Sequence, residues 1–154
     1  MGTCLSRCSY CVNHIGFAYS LSWPVRHSPA VVGGDAFEAV PGGGDAYVFS
    51  NFLVVWEDDR AVRPLRNCRK AIAGDGTVLL VEWVMPTGDE PQEGFRFWDT
   101  VTGDLLMFSV LGKGNGRVRT RAGFRELLAA AGFKLTAVIP TRGSVSVIEA
   151  KPSD

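Results

Sequence analysis

The sequence predicts an α/β fold, and three observations carry the prediction. Two runs, Ala46 to Val55 and Thr77 to Met85, are almost wholly apolar, as strands buried on both faces of a parallel sheet are. Stretches with an apolar side at helical spacing lie between and after them. Glycine- and proline-rich joints separate the two kinds of segment at short intervals, the punctuation of strand and helix alternation.

The elements follow in order. Residues 1 to 29 differ in texture from the rest: they hold Cys4, Cys8, Cys11 and both histidines, show no clear period, and are expected to be irregular. From residue 30 to 154 the chain reads as one unit. Ala30, Val31 and Val32 form a short apolar tip that runs into Gly33-Gly34-Asp35. The run Ala46 to Val55, broken by Ser50 and Asn51, is long for a strand. Asp58 and Asp59 put negative charge where a helix from about Arg60 to Ala73 begins, and Gly74 ends it. Val62, Leu65 and Cys68, with Ala61 and Ile72, give that helix its apolar side. Arg60, Arg63, Arg66 and Arg69 recur on the other side, which reads as a solvated face. Pro64 removes a backbone donor in the second turn and should distort the helix.

Thr77 to Met85 is the second buried strand. A linker rich in proline, glycine and acid, Pro86 to Gly94, leads to a helix around Phe97 to Val110. Gly112 to Gly116 reads as a loop. Thr120 is placed to cap a helix through Ala131, with Phe124, Leu127, Leu128 and Ala131 on one side and Gly132 ending it. Lys134 to Ile139 and Ser144 to Ala150 close the chain as two strands joined by a turn containing Gly143.

With 154 residues, 46% of them hydrophobic and 21% charged, the chain can hold one domain with a real core. Its 16 basic and 16 acidic side chains cancel, so no net field draws it to nucleic acid or anionic lipid. No apolar run approaches the roughly 20 residues that span a bilayer. The start lacks the pattern of a secretory signal, and the cytoplasm is the expected compartment. The cysteines form no disulfide framework. Cys4, Cys8 and Cys11 have the spacing C-x-x-x-C-x-x-C with Tyr10 before the last, which resembles the cluster signature of radical S-adenosylmethionine enzymes. The β/α barrel that such enzymes need does not follow. With His14 the same residues permit a zinc site, and chance spacing is the plain alternative; no metal is assigned.

A broader pattern covers Ala30 to Pro152. V-V-G-G-D-A-F-E-A-V-P (Val31 to Pro41) is followed by D-A-Y-V (from Asp45) and W-E-D-D-R-A-V-R (Trp56 to Arg63). N-C-R-K-A, L-L-V-E-W-V-M-P, D-L-L-M, R-V-R-T, E-L-L-A-A-A-G-F and S-V-I-E-A come after. In this order they resemble the carboxyl-terminal part of S-adenosylmethionine-dependent O-methyltransferases of the plant phenol and bacterial polyketide type. The resemblance implies an incomplete Rossmann-like class I methyltransferase sheet, with the tip of family strand 3, then strands 4, 5, 6 and 7 and their flanking helices. It implies S-adenosyl-L-methionine as cofactor and a small aromatic or polyketide hydroxyl as acceptor, with no nucleic acid or membrane as partner.

The resemblance also assigns residues. Asp35 matches an acid that contacts the adenine region, and Ala36 matches a neighbour that lies along the adenine. Ser50 matches a strand residue that binds the cofactor in the polyketide branch. Trp56 either walls the adenine pocket or packs in the core. Without the resemblance, Asp35 is an ordinary turn acid after two glycines.

Departures from the family pattern bear on activity. The phenol-methylating branch uses a histidine as general base, oriented by two glutamates. Here Val54 stands at the histidine position, Glu82 is the retained acid, and Val118 replaces the second glutamate. The polyketide branch also lacks that histidine and works by positioning, but its asparagine is Val55 here and its arginine is Leu106. No glycine-rich turn of the form D-V-G-G-G-x-G precedes Ala30, and the family's amino-terminal dimerisation domain has no counterpart.

The family's strand order is 3-2-1-4-5-7-6, so missing strands 1 and 2 would leave a gap of about 14 Å beside the run from Ala46. That run is then expected as an open, aggregation-prone edge, with Ile15 to Trp23 as a substitute partner. The expected function is methyl transfer to a hydroxyl, impaired in the chain alone. A non-catalytic remnant or frame-shifted fragment is the alternative.

Overall fold

A computed structural model describes residues 8–12, 18–19, 31–32, 34–87, 94–111 and 116–153. The two apolar runs form its centre. Strands β4 (Ala46–Ser50) and β5 (Thr77–Met85) pair in parallel, from Ala46 opposite Thr77 to Ser50 opposite Val81. The first run is shorter than predicted, because Asn51 takes a left-handed φ of 47° and turns the chain out of the sheet. Leu53–Val55 then form a 3-10 turn that buries Leu53 and Val54 without a strand.

The side of β4 expected to be an open edge is covered. Strand β1 (Cys8–Val12) pairs with it in parallel, β2 (Ala18–Tyr19) pairs antiparallel with β1, and β3 (Val31–Val32) pairs antiparallel with β2. Two strands therefore lie in the stretch expected to be irregular. The partner of β4 is Cys8–Val12, while part of the Ile15–Trp23 segment sits one place farther out. An edge of unpaired amides and carbonyls needs a partner, and the short Asn13–Phe17 connection permits an antiparallel return but no crossover. The two reversals leave β3 parallel to β1, β4 and β5.

On the other side, β8 (Val145–Pro152) pairs antiparallel with β5, and β7 (Phe133–Pro140) with β8. The row runs β3-β2-β1-β4-β5-β8-β7. A two-residue strand, β6 (Arg119–Thr120), pairs in parallel with the end of β5.

Alternation along each strand selects one face for the main core. Tyr47 and Phe49 of β4, Val78 and Leu80 of β5, and Ile148 and Ala150 of β8 form one buried cluster. They meet Ala61, Leu65 and Cys68 of helix α1 (Asp58–Ala71) and Phe124, Leu127 and Leu128 of helix α3 (Arg121–Ala130). Burying each large side chain here contributes about 1.5–3 kcal/mol. Helix α1 runs unbroken through Pro64, which is itself buried. Helix α3 starts as its sequence predicts: the Thr120 hydroxyl accepts the Gly123 N–H at 3.1 Å, and Gly132 supplies the left-handed φ of 82° after its end.

The arginine stripe of α1 is more than a solvated face. Arg66 Nε donates to the Ala130 carbonyl at 3.2 Å. Arg69 donates to the carbonyls of Gly132 and Ser153 at 3.1 and 3.2 Å. These bonds fasten α1 to the corner between α3 and β7. Helix α2 (Gly94–Leu111) lies against Trp83, on the opposite face of β5 from Glu82.

Candidate functional site

Strands β3, β4 and β5 run in the same direction, so their carboxyl ends share one side of the sheet, where ligands of open α/β sheets lie. The candidate residues sit near those ends. Asp35 follows β3 and is exposed. Its Oδ1 accepts the Phe37 N–H at 2.8 Å, and its carbonyl accepts those of Glu38 and Ala39 at 2.9 and 3.0 Å. The turn chemistry expected of an acid after glycine is therefore realised, with the carboxylate still reachable from solvent.

Ala36 points the other way. It is only 5% exposed and belongs to the main core, while its carbonyl accepts from Asn67 Nδ2 at 3.0 Å. The ring of this turn is Phe37, one residue later. It meets Trp56 edge-on with centroids 4.9 Å apart and Phe52 at 5.8 Å. These aromatics join the Asp35 turn to the segment that follows β4. Trp56 is half-buried, packs against the core, and has the Arg60 guanidinium 4.4 Å over its ring. Its Nε1 is buried without an acceptor. Ser50 ends β4 and is half-buried.

The 3-10 turn beyond β4 is held at both ends by opposite charges. Glu82, only 1% exposed, reaches across from β5, and its Oε1 accepts the N–H groups of Phe52 and Leu53 at 2.8 and 2.7 Å. Its Oε2 is buried without a partner. Burial pushes this carboxyl up to about 7, against the opposing pull of the Leu53 and Phe52 amides and the Arg119 charge. At the other end Arg119, 2% exposed, donates to the carbonyls of Leu53 and Trp56 at 2.9 and 2.6 Å and to Asp58 Oδ1 at 2.7 Å. Carboxylate at the amino end and guanidinium at the carboxyl end follow the dipole of a helical turn.

Arg117 also pairs with Asp58. Burial tends to raise the Asp58 pKa, but hydrogen bonding and charge from Arg119, with Arg117, hold it below the ordinary 3.8. The sequence reading quoted R-V-R-T for the resemblance and Asp58 as a helix-start acid, but gave Arg117 and Arg119 no role and did not pair them with Asp58. The only local signal was alternation in R-V-R beside a strand end.

Of the residues that the resemblance matched to catalytic or acceptor positions of the family, Val54 lies in this turn, Val118 lies between Arg117 and Arg119, and Leu106 lies on α2. Val54 is 5% exposed, and its carbonyl accepts the Arg117 N–H at 2.9 Å. Val118 is buried, and its N–H donates to Asp104 Oδ1 at 2.9 Å. Leu106 is on α2 and exposed. Neither valine can accept a proton, and Glu82 is enclosed. Among the described residues no three His, Cys, Asp or Glu side chains are grouped to hold a metal. Cys4, His14 and Gly112–Asn115 lie outside the described residues, and the backbone of Cys8 and Cys11 is in β1. No helix among the described residues is long and apolar enough to cross a membrane.

Residues 17–134 match the family model of the O-methyltransferase domain. The chain belongs to the O-methyltransferase family. The phenazine O-methyltransferase PhzM of Lysobacter antibioticus is 44% identical over 121 residues, which are 79% of this chain and 33% of that protein. Two solved methyltransferases share the fold. CalO1 of calicheamicin biosynthesis, in its form bound to S-adenosylhomocysteine, has a TM-score of 0.68 and 31% identity, over 80% of this chain and 34% of its own. NcsB1 of neocarzinostatin biosynthesis, in complex with S-adenosylmethionine and 2-hydroxy-5-methyl naphthoic acid, has a TM-score of 0.63 and 32% identity, over 79% and 32%. This O-methyltransferase chain spans about a third of the length of the relatives it matches. The family match begins upstream of Ala30, where the sequence pattern was first legible.

Proposed function

We propose that this chain is the carboxyl-terminal part of an S-adenosylmethionine-dependent O-methyltransferase for an aromatic or polyketide hydroxyl, with little activity on its own. In this reading β8 and β7 stand for the family's strands 7 and 6. The observation that supports it is the gathering of Asp35, Ser50 and the turn after β4 at the carboxyl ends of parallel strands.

The residues present fit one end of the cofactor. Asp35, exposed and already oriented by its own turn, suits hydroxyl or amine donors of an adenosine, with Phe37 beside it as an apolar wall. Ser50 offers a hydroxyl from the next strand end. The amino-acid end has no comparable cradle among the described residues. In a strand–helix unit the following helix would present its amino terminus there, whereas β1 returns directly to the antiparallel β2. Bound S-adenosylmethionine supplies an electrophilic methyl group. Around it this chain would orient a hydroxyl rather than deprotonate it, because Val54 and Val118 carry no base and Glu82 is sealed behind the turn amides. Glu82 is thus a positioning residue for the turn.

The missing crossover after β1 also favours a second reading, a non-catalytic remnant. Calorimetric titration with S-adenosylhomocysteine separates the two. Weak binding, with Kd of order 100 μM, that Asp35→Ala abolishes and Asp35→Asn weakens supports the first. Binding that is absent, or indifferent to Asp35→Ala, supports the second. Robust turnover by the purified chain would refute the proposed impairment.

A further inference from the structure

Glu82 uses only one of its two carboxyl oxygens. On β5 it continues the fully buried row of Val78 and Leu80, and it is itself almost wholly enclosed. Oε1 accepts the Phe52 and Leu53 amides, while Oε2, equally buried, has no partner. Arg119 is the cation whose charge reaches this carboxyl. Each nitrogen of that guanidinium is already engaged, by the Leu53 and Trp56 carbonyls and by Asp58, which Arg117 also pairs. Ser146 of β8 lies opposite Glu82 in the sheet and carries no charge, and no histidine is among the described residues.

The place of this acid in the sheet matters as much as its burial. Ser50 pairs with Val81, the residue before Glu82, so about 6 Å separates the Cα atoms of Ser50 and Glu82 at ordinary strand spacings. The carboxyl therefore stands just behind the strand end where Ser50 offers its hydroxyl. The turn amides bar contact with a ligand, but they do not block a field. Inside a protein that field is far less attenuated than in water. The two forms of the cofactor differ in the charge such a field would meet. S-adenosylmethionine carries a sulfonium cation, whereas S-adenosylhomocysteine, left after methyl transfer, carries a neutral thioether. Their adenosine and amino-acid ends are the same.

We propose, resting on the cofactor reading above, that ionised Glu82 is the counter-charge of the sulfonium and favours the methyl donor over its demethylated product without touching either. Opposite unit charges about 10 Å apart, at an effective dielectric constant of about 20, change an affinity roughly tenfold. Burial holds the Glu82 carboxyl up to about 7, so the preference grows as the pH rises and the acid ionises. The bound cation in turn favours the ionised form, so binding of the donor releases a proton from Glu82.

Calorimetric titration of the full chain with S-adenosylmethionine and with S-adenosylhomocysteine tests it, native against Glu82→Gln. The ratio of the two affinities cancels the shared ends of the ligands and any general loosening of the fold. Comparison with the variant cancels the titration of the ligands themselves. At about pH 8, Glu82→Gln should weaken S-adenosylmethionine about tenfold relative to S-adenosylhomocysteine, and at about pH 6 only about twofold. A second measurement needs no variant. In buffers of different ionisation enthalpy near pH 6.5, the native chain should release about half a proton more on binding S-adenosylmethionine than on binding S-adenosylhomocysteine. A ratio that Glu82→Gln leaves unchanged at about pH 8 overturns the proposal, as does equal proton release with the two ligands. In either case the cofactor reading is judged separately, by Asp35→Ala. Binding of neither ligand refutes that reading and the counter-charge with it.

Discussion

Glu82→Gln separates the two properties of the acid behind the turn. The carboxylate Oε1 accepts two amides at 2.8 and 2.7 Å, and a glutamine carbonyl keeps both bonds. What the substitution removes is the buried charge. In the folded chain burial lifts this group from an ordinary 4.5 to about 7, so the folded state holds the proton more tightly than the unfolded one. The resulting stabilisation is complete below pH 4.5 and is lost as the pH rises through about 7. The full span corresponds to about 3 kcal/mol.

Asp58 contributes in the opposite sense. Its lowered pKa gives stability that is lost as the pH falls below 3.8, outside this window. Urea unfolding followed by circular dichroism, from about pH 5 to about pH 8, measures the effect. The difference between the two proteins cancels titrations elsewhere, the histidines included. The native chain should lose about 2.5 kcal/mol of that span relative to Glu82→Gln across that range, and the variant should be the more stable at the alkaline end. A variant less stable than the native chain at about pH 8 would refute the reasoning. The turn amides and Arg119 would then hold the ionised acid by more than its burial costs.

Two further outcomes follow from the same region and its core. Arg119→Met strips the turn of its carboxyl-end clamp and leaves Asp58 without its 2.7 Å partner. It should cost about 2–4 kcal/mol in urea unfolding, because the Leu53 and Trp56 carbonyls lose their donor, and a loss below about 1 kcal/mol would show that water replaces the guanidinium. Burial pushes the Cys68 thiol up to about 12, and the residue is 0% exposed in the core. Mass mapping after iodoacetamide should find Cys68 modified only once the chain is unfolded, and native-state labelling at the rate of an exposed thiol would contradict the packing.

What was legible in the sequence was local chemistry. Thr120 and Gly132 bracket α3 because a hydroxyl cap and a left-handed glycine act within a few residues of themselves. The cores of β4 and β5 were legible because their apolar runs allow little else. The end of β4 was misplaced because Phe52 to Val54 are as apolar as a strand yet are buried by a 3-10 turn. Ser50-Asn51 marked the exit but was outweighed. Strand β1 was not legible at all: besides its short antiparallel pairing with Ala18–Tyr19, C-S-Y-C-V is held as a strand by residues more than thirty positions away. The burial of Arg119 likewise depends on Asp58, Leu53 and Trp56, far back in the chain. Of the candidate site residues, Asp35, Ser50 and Glu82 fall near strand ends because strand order dictates it. Ala36 faces the core because the Asp35 turn rotates it inward, leaving Phe37 as the ring beside Trp56.

The turn after β4 gives Glu82 a structural role that needs no neighbouring base. In the arrangement the family resemblance implies, such a glutamate orients a base. Here Val54 offers it nothing to orient, yet Glu82 bonds two backbone amides that no other described group serves. A buried amide left unsatisfied costs about 1–3 kcal/mol, so truncating Glu82 would open two such deficits at the entrance of the turn. Arg119 makes the matching demand at its exit. The pair therefore has a structural reason to be present whether or not methyl transfer occurs. Retention of Glu82 is accordingly weak support for catalysis, and the stronger test is whether the exposed carboxylate of Asp35 engages a cofactor.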